Sequence, residues 1–263
     1  MTEAPLTTET LVTYERDESG VAWITLNRPD KKNAMNALLL KQLQETYETY
    51  ANDEDARCAV VRGAGDAFCT GGDITMFPSI NSEVGLRFTL EDGQPHYRFL
   101  DSLNKPVIAA VHGYCLAGGF ELALQSTFIV AAKNATFGME EARLGLIPGH
   151  GGTTRLLSSI PSRTAAELLL TARRIDADEA YRLGVVNTVV EDADALTAHV
   201  SELATKIASM SPNSVAAVLH VLRELRAPLA AAFDVEALRT AILFGNSDTQ
   251  KRIQGVLDRL KNR

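Results

Sequence analysis

The chain is poor in cysteine and aromatic residues and has no excess of positive charge. Cys58, Cys69 and Cys115 stand far apart with no Cys-x-x-Cys pair, so no disulfide framework is expected and the thiols read as free and buried in a reducing compartment. Five histidines, His96, His112, His150, His199 and His220, share no ligand spacing, which leaves no expected metal site. A net charge of −7 and a pI near 5.3 argue against a nucleic-acid partner, because phosphate binding needs a basic surface. The charge-free stretch from Pro106 to Phe120 is too short to span a bilayer and is broken by glycines. Met1-Thr-Glu-Ala-Pro5 lacks the basic and apolar regions of a secretory leader, so the expected location is cytoplasmic, with no membrane partner. No Gly-x-Ser-x-Gly occurs, and the glycines from Gly149 to Gly152 are not followed by Lys-Ser/Thr, which removes the nucleophile elbow and the P-loop.

Against these absences, 263 residues with 46% apolar content suffice for one large domain or a domain with an appendage. Leu11 to Arg16 and Val21 to Leu26 read as two strands joined by the turn Asp17-Glu-Ser-Gly20. From Asn36 the apolar residues Leu39, Leu40, Leu43, Tyr47 and Tyr50 recur at helical spacing as far as about Asn52. Arg57 to Arg62, Val107 to Val111 and Phe128 to Ala132 are short apolar runs of the kind found in a sheet covered on both faces. The rhythm implies an α/β core whose loops at the strand ends build a site. Ile80 to Gln94 is irregular and reads as a mobile segment over that site or as an ordinary solvated loop. After Pro161 the pattern turns helical, over Ser162 to Leu170, Asp176 to Arg182, Asp192 to Met210 and beyond Pro212 and Pro228. Met35, Met76 and Met139 read as packing residues.

The chemistry concentrates around two glutamates twenty residues apart, each beside a glycine: Glu121 in Leu116-Ala-Gly-Gly-Phe-Glu121, and Glu141 in Phe137-Gly-Met-Glu-Glu141. That spacing cannot put both on one helix face, but a strand can return the chain so that both reach one cleft. There they can divide the work of moving a proton and activating a water; two solvated surface charges would have the same spacing. Gly118-Gly119 precedes the helix-compatible run from Phe120 to Leu124, so a backbone N–H there can point at a ligand oxygen with a helix N-terminus behind it, unless the glycines are merely a tight turn.

Around the glutamates lie Ala67-Phe-Cys-Thr-Gly-Gly-Asp-Ile74, the run from Lys105 to Glu121, and Leu144-Gly-Leu-Ile-Pro-Gly-His-Gly-Gly-Thr-Thr-Arg-Leu156. With Ile24-Thr-Leu-Asn-Arg-Pro29 and Asn33-Ala-Met-Asn-Ala37, these motifs resemble, in order from about Val21 to Val190, the enoyl-CoA hydratase/isomerase (crotonase) superfamily. The run from Gly118 to Leu124 is also similar to carnitinyl-CoA dehydratases. The resemblance implies an α/β fold, a crotonase-like spiral of repeated β-β-α units over residues 1–200, with a C-terminal helical appendage and trimerisation region over 201–263. It also implies a cofactor-independent hydro-lyase acting on an acyl-CoA thioester, in which coenzyme A belongs to the substrate. A double-bond isomerase and a non-catalytic acyl-CoA-binding paralogue stand as alternatives, and the expected assembly is a homotrimer or a dimer of trimers.

Carried over motif by motif, Glu121 and Glu141 become the catalytic carboxylates, and the N–H groups of Thr70 and Gly118 become the oxyanion hole. Thr70, Gly71, Gly72, Asp73 and Ile74, with Arg28 and Lys32, become the substrate and CoA contacts. The chain departs from the family pattern in three places. Glu140 stands where many relatives have proline, adding a carboxylate beside Glu141 that faces either the site or solvent. Thr70 and Gly72 replace commoner alanines. The tail Gly255-Val-Leu-Asp-Arg-Leu-Lys-Asn-Arg263 is a degraded form of the signature through which relatives touch the adenine end of CoA. His150 is expected near the acyl pocket, and the segment from Met76 to Leu100 is expected to shape that pocket.

Overall fold

A computed structural model describes residues 9–80, 100, 103–226 and 230–262. Most of the segment expected over the site, from 81 to 94, lies outside them, as does His96.

The chain opens on the expected hairpin, β1 (Val12–Arg16) paired antiparallel with β2 (Val21–Leu26). Helix α1 (Ala37–Asn52) starts at the Asn36 cap, whose side chain accepts the Leu39 N–H at 2.8 Å, a contact worth about 1 kcal/mol. Strands β3 (Cys58–Gly63), β4 (Val107–Val111), β6 (Phe128–Ala132) and β9 (Thr188–Val190) then extend the sheet in parallel, giving the order β1-β2-β3-β4-β6-β9. A parallel sheet is covered on both faces, which is why β4 is buried at every residue.

Alternate side chains along these strands face opposite layers. Val21, Cys58, Val60, Ile108, Ala110, Val130 and Ala132 pack on α6 (Ala193–Ala208) through its seam Leu196, Val200, Ala204 and Ala208. Ala22, Ile24, Ala59, Val61, Ala109 and Val111 face the other way, onto Leu39, Leu43 and Tyr47 of α1 and Phe120 of α2 (Gly118–Gln125). All three cysteines are buried and free.

A second, small sheet, β5 (Tyr114–Leu116), β7 (Thr136–Gly138) and β8 (Ile175–Asp176), follows the ends of the main strands. Its β5 also bridges to Cys69, which pins the loop after β3 against the start of α2. The helices α3 (Gly152–Ser159), α4 (Ser162–Thr171) and α5 (Ala177–Arg182) follow. Asp176 and Asp192, the expected first residues of two helices, are their N-caps, accepting N–H groups at 2.7 and 2.9 Å.

The expected division after residue 200 falls inside α6. Its apolar seam runs unbroken along the sheet, so the whole helix belongs to the core. Beyond it come α7 (Pro212–Arg226), α8 (Ala230–Phe244) and α9 (Ser247–Lys261). Helix α8 packs on α3, and α9 packs on two short 3-10 segments, Ile74–Ser79 and Glu141–Leu144, so the C-terminal helices fold back over the ends of the core.

Candidate active site

The first wall of the site is the loop after β3, held by Asn33. This residue is fully buried in a left-handed conformation (φ 56°), a geometry asparagine tolerates better than most residues. Its Nδ2 lies 2.8 to 3.1 Å from the carbonyls of Ala64, Ala67 and Phe68, and its Oδ1 accepts the Arg28 N–H at 2.9 Å. Further along, Met35 donates to the Gly71 carbonyl at 2.8 Å, and its own carbonyl accepts the Asp73 N–H at 2.9 Å. Pairing on either side of Gly72 turns its N–H the other way, where it meets no acceptor among the described residues. Thr70, the expected donor, gives its N–H to the Lys32 carbonyl at 3.2 Å, so the open amide of this loop is at Gly72.

The second wall is the start of α2. Ala117 takes φ 49° and ψ −127°, unfavourable for a residue with a Cβ, while donating to the Gly138 carbonyl at 2.8 Å. Its carbonyl accepts the N–H groups of Phe120 and Glu121, which leaves the Gly118 N–H without an acceptor among the described residues at the positive end of the helix. Gly71 makes the approach of the two walls possible. It has φ +94°, and a Cβ there would lie 2.8 Å from the Ala117 Cβ and 3.1 Å from the Gly118 nitrogen. Both open amides border one cleft of about 830 Å³, together with Thr70, Asp73, Ile74 and both glutamates.

The two glutamates have contrasting surroundings. Glu121, in the first turn of α2 and 2% exposed, accepts the N–H groups of His150 and Gly152 on Oε1 at 2.8 and 2.9 Å. Its Oε2 lies 3.6 Å from His150 Nδ1. Glu141 opens a 3-10 turn and is partly covered as a residue, but its Oε2 is withdrawn from solvent and has no hydrogen-bond partner among the described residues. Burial, and after it the charge of Glu121, raises the Glu141 carboxyl well above its ordinary value, with smaller contributions from Glu236 and Glu140. Glu140 itself is held by Arg174 in a two-pronged ion pair at 2.9 and 3.0 Å. Glu121 and Glu141 thus set a carboxylate held by two donors beside a carboxyl whose charged form burial disfavours.

Of the expected substrate contacts, Arg28 borders the cleft but is committed, its Nη1 lying 2.7 Å from Asp73 Oδ2 and 2.8 Å from the Ala34 carbonyl. Burial works against the Asp73 carboxylate, yet the donors from Thr75 and Arg28 keep it below its ordinary range. Lys32 and Gly71 do not line the cleft; the Lys32 ammonium rests 4.8 Å from the centre of the Tyr114 ring. His150 lines it, as expected. The far side is apolar, with Leu144, Leu146 and Ile147 opposite Phe244, Val256 and Leu260 of α8 and α9.

Sequence reasoning missed Glu236, a third carboxylate, 4% exposed and bound to the turn that holds Glu121. Its signal is the buried stripe Glu236, Thr240 and Phe244 at helical spacing on α8, which needs the register of that helix before the acid stands out.

The sequence matches the family model described as Enoyl-CoA hydratase/isomerase over residues 16–263. It is 40% identical over 199 residues to a short-chain-enoyl-CoA hydratase of Clostridium acetobutylicum, covering 75% of this chain and 76% of that one. It is 38% identical over 210 residues to a carnitinyl-CoA dehydratase of Citrobacter koseri, covering 76% of each. The fold superposes on the crystal structure of an enoyl-CoA hydratase/isomerase from Mycobacterium paratuberculosis with a TM-score of 0.86 at 28% identity, over 95% of this chain and all of that one.

Proposed function

The chain belongs to the enoyl-CoA hydratase/isomerase family, and on that premise we propose that it is a hydro-lyase converting a trans-2-enoyl-CoA thioester to the 3-hydroxyacyl-CoA, or running the reverse dehydration. One observation carries the reading: an accepting carboxylate, a carboxyl whose charged form burial disfavours and two open amides share a single cleft.

Addition of water to the conjugated thioester places negative charge on the carbonyl oxygen as the enolate forms. The N–H groups of Gly72 and Gly118 are the donors for that oxygen, fixed beforehand by the bridge at Met35 and by the start of α2. Glu121 takes a proton from the water as its oxygen bonds to Cβ, and Glu141 delivers a proton to Cα. The product thereby gains one water, and the proton now on Glu121 must return to Glu141 or to solvent before the next turnover. CoA enters as part of the substrate. Lys31 and Arg259 line the cleft without ion pairs among the described residues and suit its phosphates better than the committed Arg28. The working form in this reading is a closed homo-oligomer, a trimer or a dimer of trimers.

The test is an ultraviolet assay for loss of the conjugated thioester with crotonyl-CoA and longer enoyl-CoAs. Hydration requires loss of that absorbance with formation of the 3-hydroxyacyl product. Binding without turnover would identify a scaffold. Double-bond migration that survives replacement of Glu121 would identify an isomerase.

A further inference from the structure

Glu236 projects from α8 into the interior, and the hydration steps make no use of it. Both of its oxygens are nonetheless committed. Oε1 accepts the Gly151 N–H at 2.7 Å, and Oε2 accepts the Thr154 N–H at 2.8 Å and the Thr154 hydroxyl at 2.7 Å. The amides on either side of Gly151 go elsewhere: those of His150 and Gly152 donate to Glu121 Oε1. From His150 to Gly152, successive N–H groups alternate between two buried carboxylates, Glu121 of α2 and Glu236 of α8.

The turn has no slack. Gly151 lies in the left-handed region at φ +96°, with Phe233 in the space a Cβ would fill; a Cβ on Gly152 would lie 2.8 Å from Glu121 Cγ. A shift of the turn therefore carries the Glu121 carboxylate with it. The placement of Glu236 also penalises its charged form. Burial, then the Glu121 charge, pushes its carboxyl up to about 7 despite the three donors, and a local cap from Ser or Asp would satisfy the start of α3 without a second buried acid. A role in holding Glu121 accounts for a buried acid at this position.

We propose that Glu236 is a positioning residue for Glu121: by binding Gly151 and Thr154 it fixes the turn whose other two amides hold the base, and so ties the C-terminal helices to the chemistry. The proposal rests on the reading of Glu121 as the base. Glutamine at position 236 keeps the shape but has one acceptor oxygen, so its NH2 must face either Gly151 or Thr154, both donors.

The experiment is a double-mutant cycle on the full chain with crotonyl-CoA, comparing Glu236→Gln, Glu121→Gln and the double variant, with folding checked by circular dichroism. Glu236→Gln should lower kcat about 10- to 100-fold with a smaller change in KM, since a misplaced catalytic group costs rate. In the Glu121→Gln background the same change should cost less than about twofold, because the group it positions is already gone. Equal losses in both backgrounds would make Glu236 merely structural and overturn the proposal, as would a folded Glu236→Gln enzyme with native kcat. Near-native turnover of Glu121→Gln alone would instead overturn the assignment of the base. Should Glu236→Gln fail to fold, Thr154→Val removes only the hydroxyl contact. It should lower kcat about 2- to 10-fold, again only when Glu121 is present; no loss, or a loss independent of Glu121, would overturn the proposal.

Discussion

At Glu121 two amide N–H groups converge on one carboxylate oxygen, whereas at Glu141 the Oε2 atom has no donor among the described residues and burial disfavours its charge. Both groups are needed if water is to be split between two carbon atoms. Glu121→Gln and Glu141→Gln should each lower kcat about 10² to 10⁴-fold with the circular dichroism spectrum unchanged. Near-native turnover in either variant on the best substrate would remove that residue from the reaction. The Glu141 environment also makes a prediction for stability. Its folded-state pKa lies above the ordinary 4.5, so its contribution is fully present below that value and is lost as pH rises through the folded-state pKa. Glutamine does not titrate. The difference in Tm, Glu141→Gln minus native, should therefore rise in favour of the variant as pH climbs above the ordinary glutamate value. A flat difference in thermal melts would show that the Glu141 charge is not penalised by folding.

Where elements meet, the decisive contact is between the loop after β3 and the start of α2, which come together only because position 71 lacks a Cβ. Gly71→Ala combines strain at φ +94° with a clash against Ala117 and should force the Gly72 and Gly118 amides apart. We expect kcat to fall about 10-fold or more. Gly65→Ala is the control, since Gly65 has φ +78° and a Cβ there would lie 2.8 Å from Pro29 Cβ, outside the cleft. It should lower Tm comparably and leave kcat near native; equal kcat losses in the two variants would mean that strain, not amide placement, is being measured. Much of this level was legible in the sequence. Apolar runs and capping residues located the hairpin, α1, the strands β3, β4 and β6 and the helices after Pro161, because each signal is local; the three-residue β9 was missed. The small sheet of β5, β7 and β8 was not, since two- and three-residue strands carry too little pattern. The open amide was placed two residues early, at Thr70, because which N–H groups remain unpaired depends on the long-range bridge between Met35 and Gly72.

Over the whole molecule the C-terminal helices carry information on both faces, and only one of them was anticipated. Inward, α8 places Glu236 and Thr240 beside the site, and Phe244 lines the cleft with Val256 and Leu260 of α9, so residues after 201 complete the cleft as well as being available for assembly. This role was hidden in the sequence because the family signature at the tail is degraded and the helical register had to be known. Outward, Val235, Leu238 and Ile242 on α8 and Val218, Val221 and Leu222 on α7 are between 41% and 60% exposed. They recur at helical spacing on each helix, and exposed apolar faces of this kind on a single chain suit an interface. Light scattering of the native protein should give the mass of three or six chains; a monomer at working concentration would refute the proposed assembly. Leu238→Glu combined with Ile242→Glu should yield a smaller species, because charges in an apolar contact lose hydration without gaining partners. Since the same helix presents Glu236 and Thr240 on its opposite face, the dissociated variant should also lose kcat. A fully active monomeric variant would mean that α8 holds the site without support from neighbouring chains.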